Sequence, residues 1–247
     1  MNRDIIAVQL YTVRSLTKRD MLGTLRSLSD IGYRAVELAG YGNSDARSIA
    51  ATLQELGMRT PSAHVALQLW ANDFDGTLAD LQLLGCDYAV VPFAGEEYRS
   101  AEGVRRLAGE LNRLGERLRG SGIRAAYHNH AFEFEPLDGS TMYQQLAAGT
   151  DPELVDLELD LFWVEVGGAD TRALLEQYAG RVPLVHVKDR EPGDEVGFAP
   201  AGEGTLDWQQ LLPAAERAGA RWFIVEQDVS RDPLADVTTA FRYLERF

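Results

Sequence analysis

A chain of 247 residues, 45% of them hydrophobic, is long enough to bury one large α/β core, and its composition excludes a disordered or fibrous protein. The net charge of −14 opposes phosphodiester backbones, so nucleic acid is excluded as an expected partner. No run approaches the roughly 18 apolar residues of a membrane span, and the single cysteine, Cys86, allows no intrachain disulfide and suits a reduced, cytoplasmic compartment.

The N-terminal MNRDIIAVQLYTVR shows no export signal and passes directly into strand-like alternation, so DIIAVQLY is read as a first strand. A glycine then closes an amphipathic stretch before a β-rich run seven times, where a left-handed helix C-cap is expected. These are Gly32 before YRAVEL, Gly57 before MRTPSAH, Gly85 before CDYAVVPF and Gly122 before IRAAYHNH, followed by Gly149 before LVDLELDLFW, Gly180 before RVPLVHVK and Gly219 before ARWFIVEQ. They lie 25 to 39 residues apart, close to the smallest βαβ repeat. Eight strands and a final helix, DPLADVTTAFRYLERF, predict one (β/α)₈ TIM barrel domain over residues 1–247, with an open doubly wound sheet as the competitor.

Alternation assigns the faces of each strand. In LVDLELDLFW the row Val155, Leu157, Leu159 and Leu161 faces the helices, so Asp156, Glu158 and Asp160 point into the barrel. Only Asp160 lies near the C-terminal mouth, and Asp156 and Glu158 are read as structural partners of Arg124 lower down. The same parity turns His128 and His130, then His186 and Lys188, then Glu226 and Asp228 inward.

All four histidines, His64, His128, His130 and His186, fall at the C-terminal ends of predicted strands, the rim where barrel enzymes place their sites. Gln9, Glu37, Asp160, Lys188 and Glu226 share that rim. A lone strand histidine is more often a hydrogen-bonded structural residue than a ligand, but Asp160, His186 and Glu226 come from consecutive strands and together suit a divalent ion. His128 of the fifth strand is the expected fourth ligand.

These residues carry a resemblance. YHNHAFEF (127 to 134), LDLFW (159 to 163), HVKD (186 to 189) and VEQD (225 to 228) resemble the xylose-isomerase-like superfamily of sugar phosphate isomerases and epimerases, with motifs most similar to its inosose dehydratase and sugar-epimerase branch. The resemblance implies a divalent ion held by strands five to eight, with Mn²⁺ foremost and Co²⁺, Zn²⁺ or Mg²⁺ as alternatives. It departs at strand five, where many members carry Glu-x-His and this chain has His128-Asn129-His130. Imidazole in place of carboxylate moves the preference toward Zn²⁺, Co²⁺ or Ni²⁺.

The implied activity is an isomerase or epimerase acting on a small keto-sugar, sugar phosphate or cyclitol by proton abstraction next to a carbonyl, with a dehydratase of inosose type as runner-up. Glu133 and His130 are candidates for the acid/base pair, with Glu226 as ligand or base. Gln9, Glu37, His64, Trp163 and Lys188 are expected to contact substrate, Trp163 as a flat wall for a sugar ring. A metal-free sugar-binding or accessory barrel is a rival. An endonuclease IV-like DNA-repair enzyme is a weaker one, because four histidines are few for a zinc cluster and the charge opposes DNA. Trp70, Phe74 and Tyr98 look exposed and suit a lid or a homodimer interface. The Gly- and Pro-rich segment after strand seven, ending in GEGTLDW (202 to 208), suits a lid.

Overall fold

The computed structural model describes residues 1–193 and 196–247. Eight parallel strands close into a barrel: β1 (Ile6–Gln9), β2 (Ala35–Leu38), β3 (Arg59–His64), β4 (Tyr88–Val91), β5 (Arg124–His128), β6 (Val155–Asp160), β7 (Leu184–Val187) and β8 (Trp222–Val225), with β8 hydrogen-bonded back to β1. The competing open sheet is thereby excluded.

Helices α1 (Arg14–Ile31), α2 (Ala46–Leu56), α3 (Leu67–Asn72), α4 (Phe74–Leu84), α5 (Ala101–Leu118) and α6 (Met142–Gly149) cover the first half. α7 (Leu161–Val166), α8 (Thr171–Gln177), α9 (Trp208–Ala218) and α10 (Pro233–Glu245) complete the ring. Their starts follow side-chain chemistry. Asp45, Asp73, Asp170, Asp207 and Asp232 each accept a first-turn backbone N–H, and Thr141 forms a capping box with Gln144. α1 is broken at Asp20, whose non-helical backbone lets its carboxylate cap the second segment through Gly23 N–H.

Six of the seven junction glycines adopt positive φ, although Gly122 and Gly180 stand a few residues beyond their helices. Gly149 differs. It is the last residue of α6, and an added Cβ would come within 3.0 Å of the Ala108 Cβ on α5, so close helix packing rather than a left-handed turn accounts for it.

Two layers of apolar packing follow from the alternation. Outward side chains such as Val155, Leu157 and Leu159 join the helix-facing core, while Ala7, Ala35, Tyr88, Val90, Ala126, Leu184, Trp222 and Ile224 fill the barrel interior. Arg124 pairs with Asp156 at the N-terminal end and also donates to the carbonyls of Glu153 and Pro152. The polar residues above this plug must therefore gather at the other end.

Trp70 is not exposed: it is 5% accessible and tilts against Phe74, which in turn lies under Arg117. Tyr98 donates to Glu110. Trp70 and Phe74 thus join α3 and α4 to α5, and Tyr98 bonds to the same helix, because the short α3 turns its aromatic inward. No described helix is long and apolar enough to cross a membrane.

Candidate functional site

Strand register decides which inward residues share a level. His128 pairs with Glu158 across β5 and β6, and Asp160 with His186 across β6 and β7. Glu158 is thus level with the histidines and one layer above Asp156. The expectation that both acids belong to the structural plug is corrected for Glu158, since Arg124 reaches only Asp156. Glu158 Oε2 instead lies 2.8 Å from His64 Nε2, 3.0 Å from His128 Nδ1 and 3.3 Å from His186 Nε2.

On the β1 and β2 side, Gln9 Nε2 donates to Glu37 Oε1 at 2.6 Å, and the same oxygen is 2.8 Å from His186 Nε2 and 3.2 Å from His64 Nε2. Gln9 is fully buried, and its own carbonyl oxygen accepts from Tyr11 N–H. Glutamine 9 therefore holds Glu37 in place.

On the β7 and β8 side, His186 Nδ1 is 2.8 Å from Glu226 Oε2. Lys188 is fully buried, with its ammonium 2.9 Å from Asp160 Oδ2, 2.6 Å from Glu226 Oε2 and 2.7 Å from Asp228 Oδ2. Its carboxylate partners include Glu226 but not Asp189. Asp189 turns outward and accepts from Arg190, Gly202 and Leu206 N–H and from Trp208 Nε1. That set of bonds ties down the segment proposed as a lid, of which residues 194 and 195 lie outside the described residues.

Asp160 divides its carboxylate. Oδ1 caps α7 through Trp163 N–H at 3.0 Å, leaving Oδ2 to face Lys188, with His128 Nε2 and His186 Nδ1 each at 3.8 Å. Asn129, the middle residue of the His-x-His motif, brackets the backbone of Asp160: Oδ1 accepts from Asp160 N–H and Nδ2 donates to Asp160 O. The sequence reading did not single out Asn129. Its outward parity between two inward histidines was the available signal.

The electrostatics follow from burial and proximity. Burial alone disfavours a charged imidazole, but Glu37 and Glu158 overcome it and raise His64 to about 10. The same contest, won by Glu158, Glu37 and Glu226, raises His186 well above its usual value. Burial opposes ionisation of Glu226, yet Lys188 and His186 hold it well below the carboxylate range. For His128 and His130 the balance falls the other way, Glu226 being too weak an opposing influence on His130. Burial, reinforced by neighbouring positive charge, lowers both, His130 to about 4.

Glu133 stands apart. It is fully buried behind β5, where Tyr127 Oη donates to one carboxylate oxygen and His130 N–H to the other, and burial raises its carboxyl to about 7. It contacts the backbone of His130, not the imidazole. Trp163 lies beside that ring at 5.6 Å between centroids, with its indole N–H buried and unpartnered.

Among the described residues, two sets of donors have the disposition of a metal site. His128, Asp160, His186 and Glu226 form one, and His64, His128, Glu158 and His186 the other; within each, the ligand atoms lie within 4.8 Å of one another. Among the described residues, Glu37 Oε2 and Glu158 Oε1 are buried without a hydrogen-bond donor, while Asp160 Oδ2 has only the Lys188 ammonium at 2.9 Å. Buried carboxylate oxygens in that condition call for a cation or a donor from a ligand, so the residues fit a divalent ion. Of the residues expected from the sequence, the structure brings together Glu37, His64, His128, Asp160, His186, Lys188 and Glu226, with Gln9 beneath, His130 and Trp163 beside them, and Glu133 behind.

Known proteins share this architecture. An inosose dehydratase of Lacticaseibacillus casei is 28% identical over 160 residues, 57% of this chain and 53% of the relative. One from Geobacillus kaustophilus is 26% identical over 188 residues, 67% and 60% of the two chains. The chain thus spans little more than half the length of these relatives. A sugar phosphate isomerase/epimerase structure from Parabacteroides distasonis superposes with a TM-score of 0.85 at 21% identity, covering 98% of each chain. A structure of an IOLI protein with a zinc atom gives 0.77 at 16% identity over 98% of this chain and 96% of its own. Residues 25–247 match the family described as xylose isomerase-like TIM barrel, and the chain belongs to that family.

Proposed function

We propose that this protein is a divalent-metal-dependent enzyme that removes a proton next to the carbonyl of a small keto-sugar or keto-cyclitol. The observation that carries this reading is the set of buried polar atoms at the mouth that lack a partner among the described residues: Glu37 Oε2, Glu158 Oε1, His130 Nδ1 and Trp163 Nε1. They mix acceptors with a donor, as a polyhydroxylated ligand and a cation together require.

Asp160, His186 and Glu226, with His128, would hold the ion, which supplies Lewis-acid polarisation of a substrate carbonyl. Lys188 places a fixed positive charge beside the same oxygens and suits a developing enediolate or a departing hydroxyl. His130 is neutral at neutral pH and is the group assigned to accept a proton, while Glu133 positions it through the backbone. Gln9 acts on substrate only through Glu37.

Return of the proton yields an epimer or isomer, and loss of a β-hydroxyl yields a dehydration product. The inosose dehydratase relatives favour dehydration of a keto-cyclitol as the second reading. The test is to incubate protein loaded with Mn²⁺ or Zn²⁺ with keto-sugars and keto-inositols in deuterated water and follow C–H loss by NMR. Exchange that chelator abolishes supports the reading; no exchange in any keto-substrate refutes it.

A further inference from the structure

Of the seven large hydrophobics left exposed among the described residues, five, Tyr11, Leu69, Phe93, Val196 and Val229, follow barrel strands at the end that carries the site, the others being Leu83 and Phe247. Tyr11 is 42%, Phe93 50% and Leu69 53% accessible. These three line one cavity of about 440 Å³ together with His64, His128, His130, Glu226 and Asp228. The cavity therefore has two chemistries. Ala39, Gly40, Ala66 and Pro92 join Tyr11, Leu69 and Phe93 as the uncharged part of its lining, and the imidazoles and carboxylates make up the rest.

The apolar wall is held in shape. The Arg14 guanidinium lies 3.9 Å from the centre of the Tyr11 ring and donates to the Asp228 carbonyl at 2.7 Å. Phe93 meets Phe132 and His130 edge-on at 5.4 and 5.5 Å between centroids. A braced, half-exposed aromatic pair loses little freedom when a ligand covers it. Exposed apolar surface gathered around one opening marks a binding surface, and a free sugar or cyclitol, with hydroxyls around its ring, leaves such a wall unmatched. The volume falls in the range of pockets that enclose drug-sized ligands.

We propose that the substrate is a sugar or cyclitol bearing a flat apolar substituent, which rests on the Tyr11–Leu69–Phe93 wall while the polyol ring meets the histidines and carboxylates. This deepens the proposed function and rests on it for the polyol half of the ligand.

Calorimetric titration of the metal-loaded protein with phenyl β-D-glucopyranoside and methyl β-D-glucopyranoside tests it. The phenyl compound is expected to bind about tenfold more tightly, an effect of the size that burying an aromatic ring produces. Leu69→Ser and Phe93→Ala, both at half-exposed positions, are each expected to bring the ratio toward one. Equal affinities, no binding of either, or a preference that survives both variants overturns the proposal. So does light scattering that shows a dimer which Leu69→Ser dissociates, because the wall is then covered by a second copy. Deuterium exchange into free keto-sugars reports the proposed function separately: its absence with the phenyl preference intact removes that function and leaves the apolar subsite.

Discussion

Asn129 brackets the backbone of Asp160, accepting from its N–H at 3.0 Å and donating to its carbonyl at 3.3 Å, so the ends of β5 and β6 are joined by one side chain. The bond fixes where the Asp160 carboxylate starts and hence where Oδ2 enters the mouth. Asn129→Ala leaves a buried N–H unpaired, and folding stability is expected to fall by about 2 kcal/mol in urea denaturation. Zn²⁺ affinity, read by calorimetry, is expected to weaken about tenfold or more, as when other outer-shell partners of a metal site are removed. Unchanged affinity would separate Asn129 from the site.

Among the described residues, Lys188 is the one ammonium facing Asp160, Glu226 and Asp228, and it has no access to solvent. Lys188→Met leaves those carboxylates uncompensated and is expected to cost about 3 to 5 kcal/mol in the metal-free protein. Added Mn²⁺ or Zn²⁺ is expected to raise the variant's Tm more than that of the parent chain. Equal increments in thermal melts contradict a shared cation position.

Glu158→Gln removes the carboxylate nearest His64 and His128. His64, raised to about 10 by Glu37 and Glu158 against the opposing effect of burial, is expected to titrate closer to its ordinary 6.5. Imidazole ¹H–¹⁵N spectra of the metal-free variant across pH give the shift directly. An unmoved His64 would mean that Glu37 alone sets its charge.

Glu133 makes stability depend on pH. Burial lifts its folded value to about 7, above the ordinary 4.5, so between those values the folded chain keeps a proton that the unfolded chain releases. Its contribution is most favourable below the unfolded value, declines as pH rises toward the folded value and is level above it, a loss on the order of 3 kcal/mol. Urea midpoints from about pH 5 to 8 are expected to show this slope in the parent chain and to lose it in Glu133→Gln.

Gly204 lies against the Asp189 anchor, where an added Cβ would stand 2.2 Å from Oδ1 and 2.5 Å from the Arg190 carbonyl. Gly204→Ala is expected to loosen the segment after β7 and to accelerate its cleavage in limited proteolysis. Cleavage at the parent rate would show that the segment is held elsewhere.

The barrel was legible because a helix end before a strand leaves a chemical mark. Positive φ selects glycine at Gly57, Gly85 and Gly219, and repetition of that mark gives the period. Gly149 carries the same letter for a different reason, close approach to Ala108, which no local pattern distinguishes. Parity correctly separated the faces of β6 but carried no depth. Asp156 and Glu158 look alike along the chain, and only pairing with Ala126 and His128 shows that the first meets a guanidinium and the second three imidazoles. Trp70 was misread as exposed because the short α3 offers too few residues to reveal a buried face.

Strand β6 holds three carboxylates one above another, and each has a different kind of counterpart: a tethered guanidinium for Asp156, imidazoles for Glu158, and an ammonium with a helix N-terminus for Asp160. The guanidinium of the lowest rung and the ammonium of the highest keep their charge, whereas the imidazoles on the middle rung can give up protons, and Glu158 Oε1 still lacks a donor among the described residues. The lowest rung serves as a foundation whether or not the mouth is filled. If the proposed function holds, the upper rungs act as a small ion-exchange column in which protons, metal and substrate hydroxyls compete for the same oxygens, and acidity and metal supply together set how the mouth is occupied.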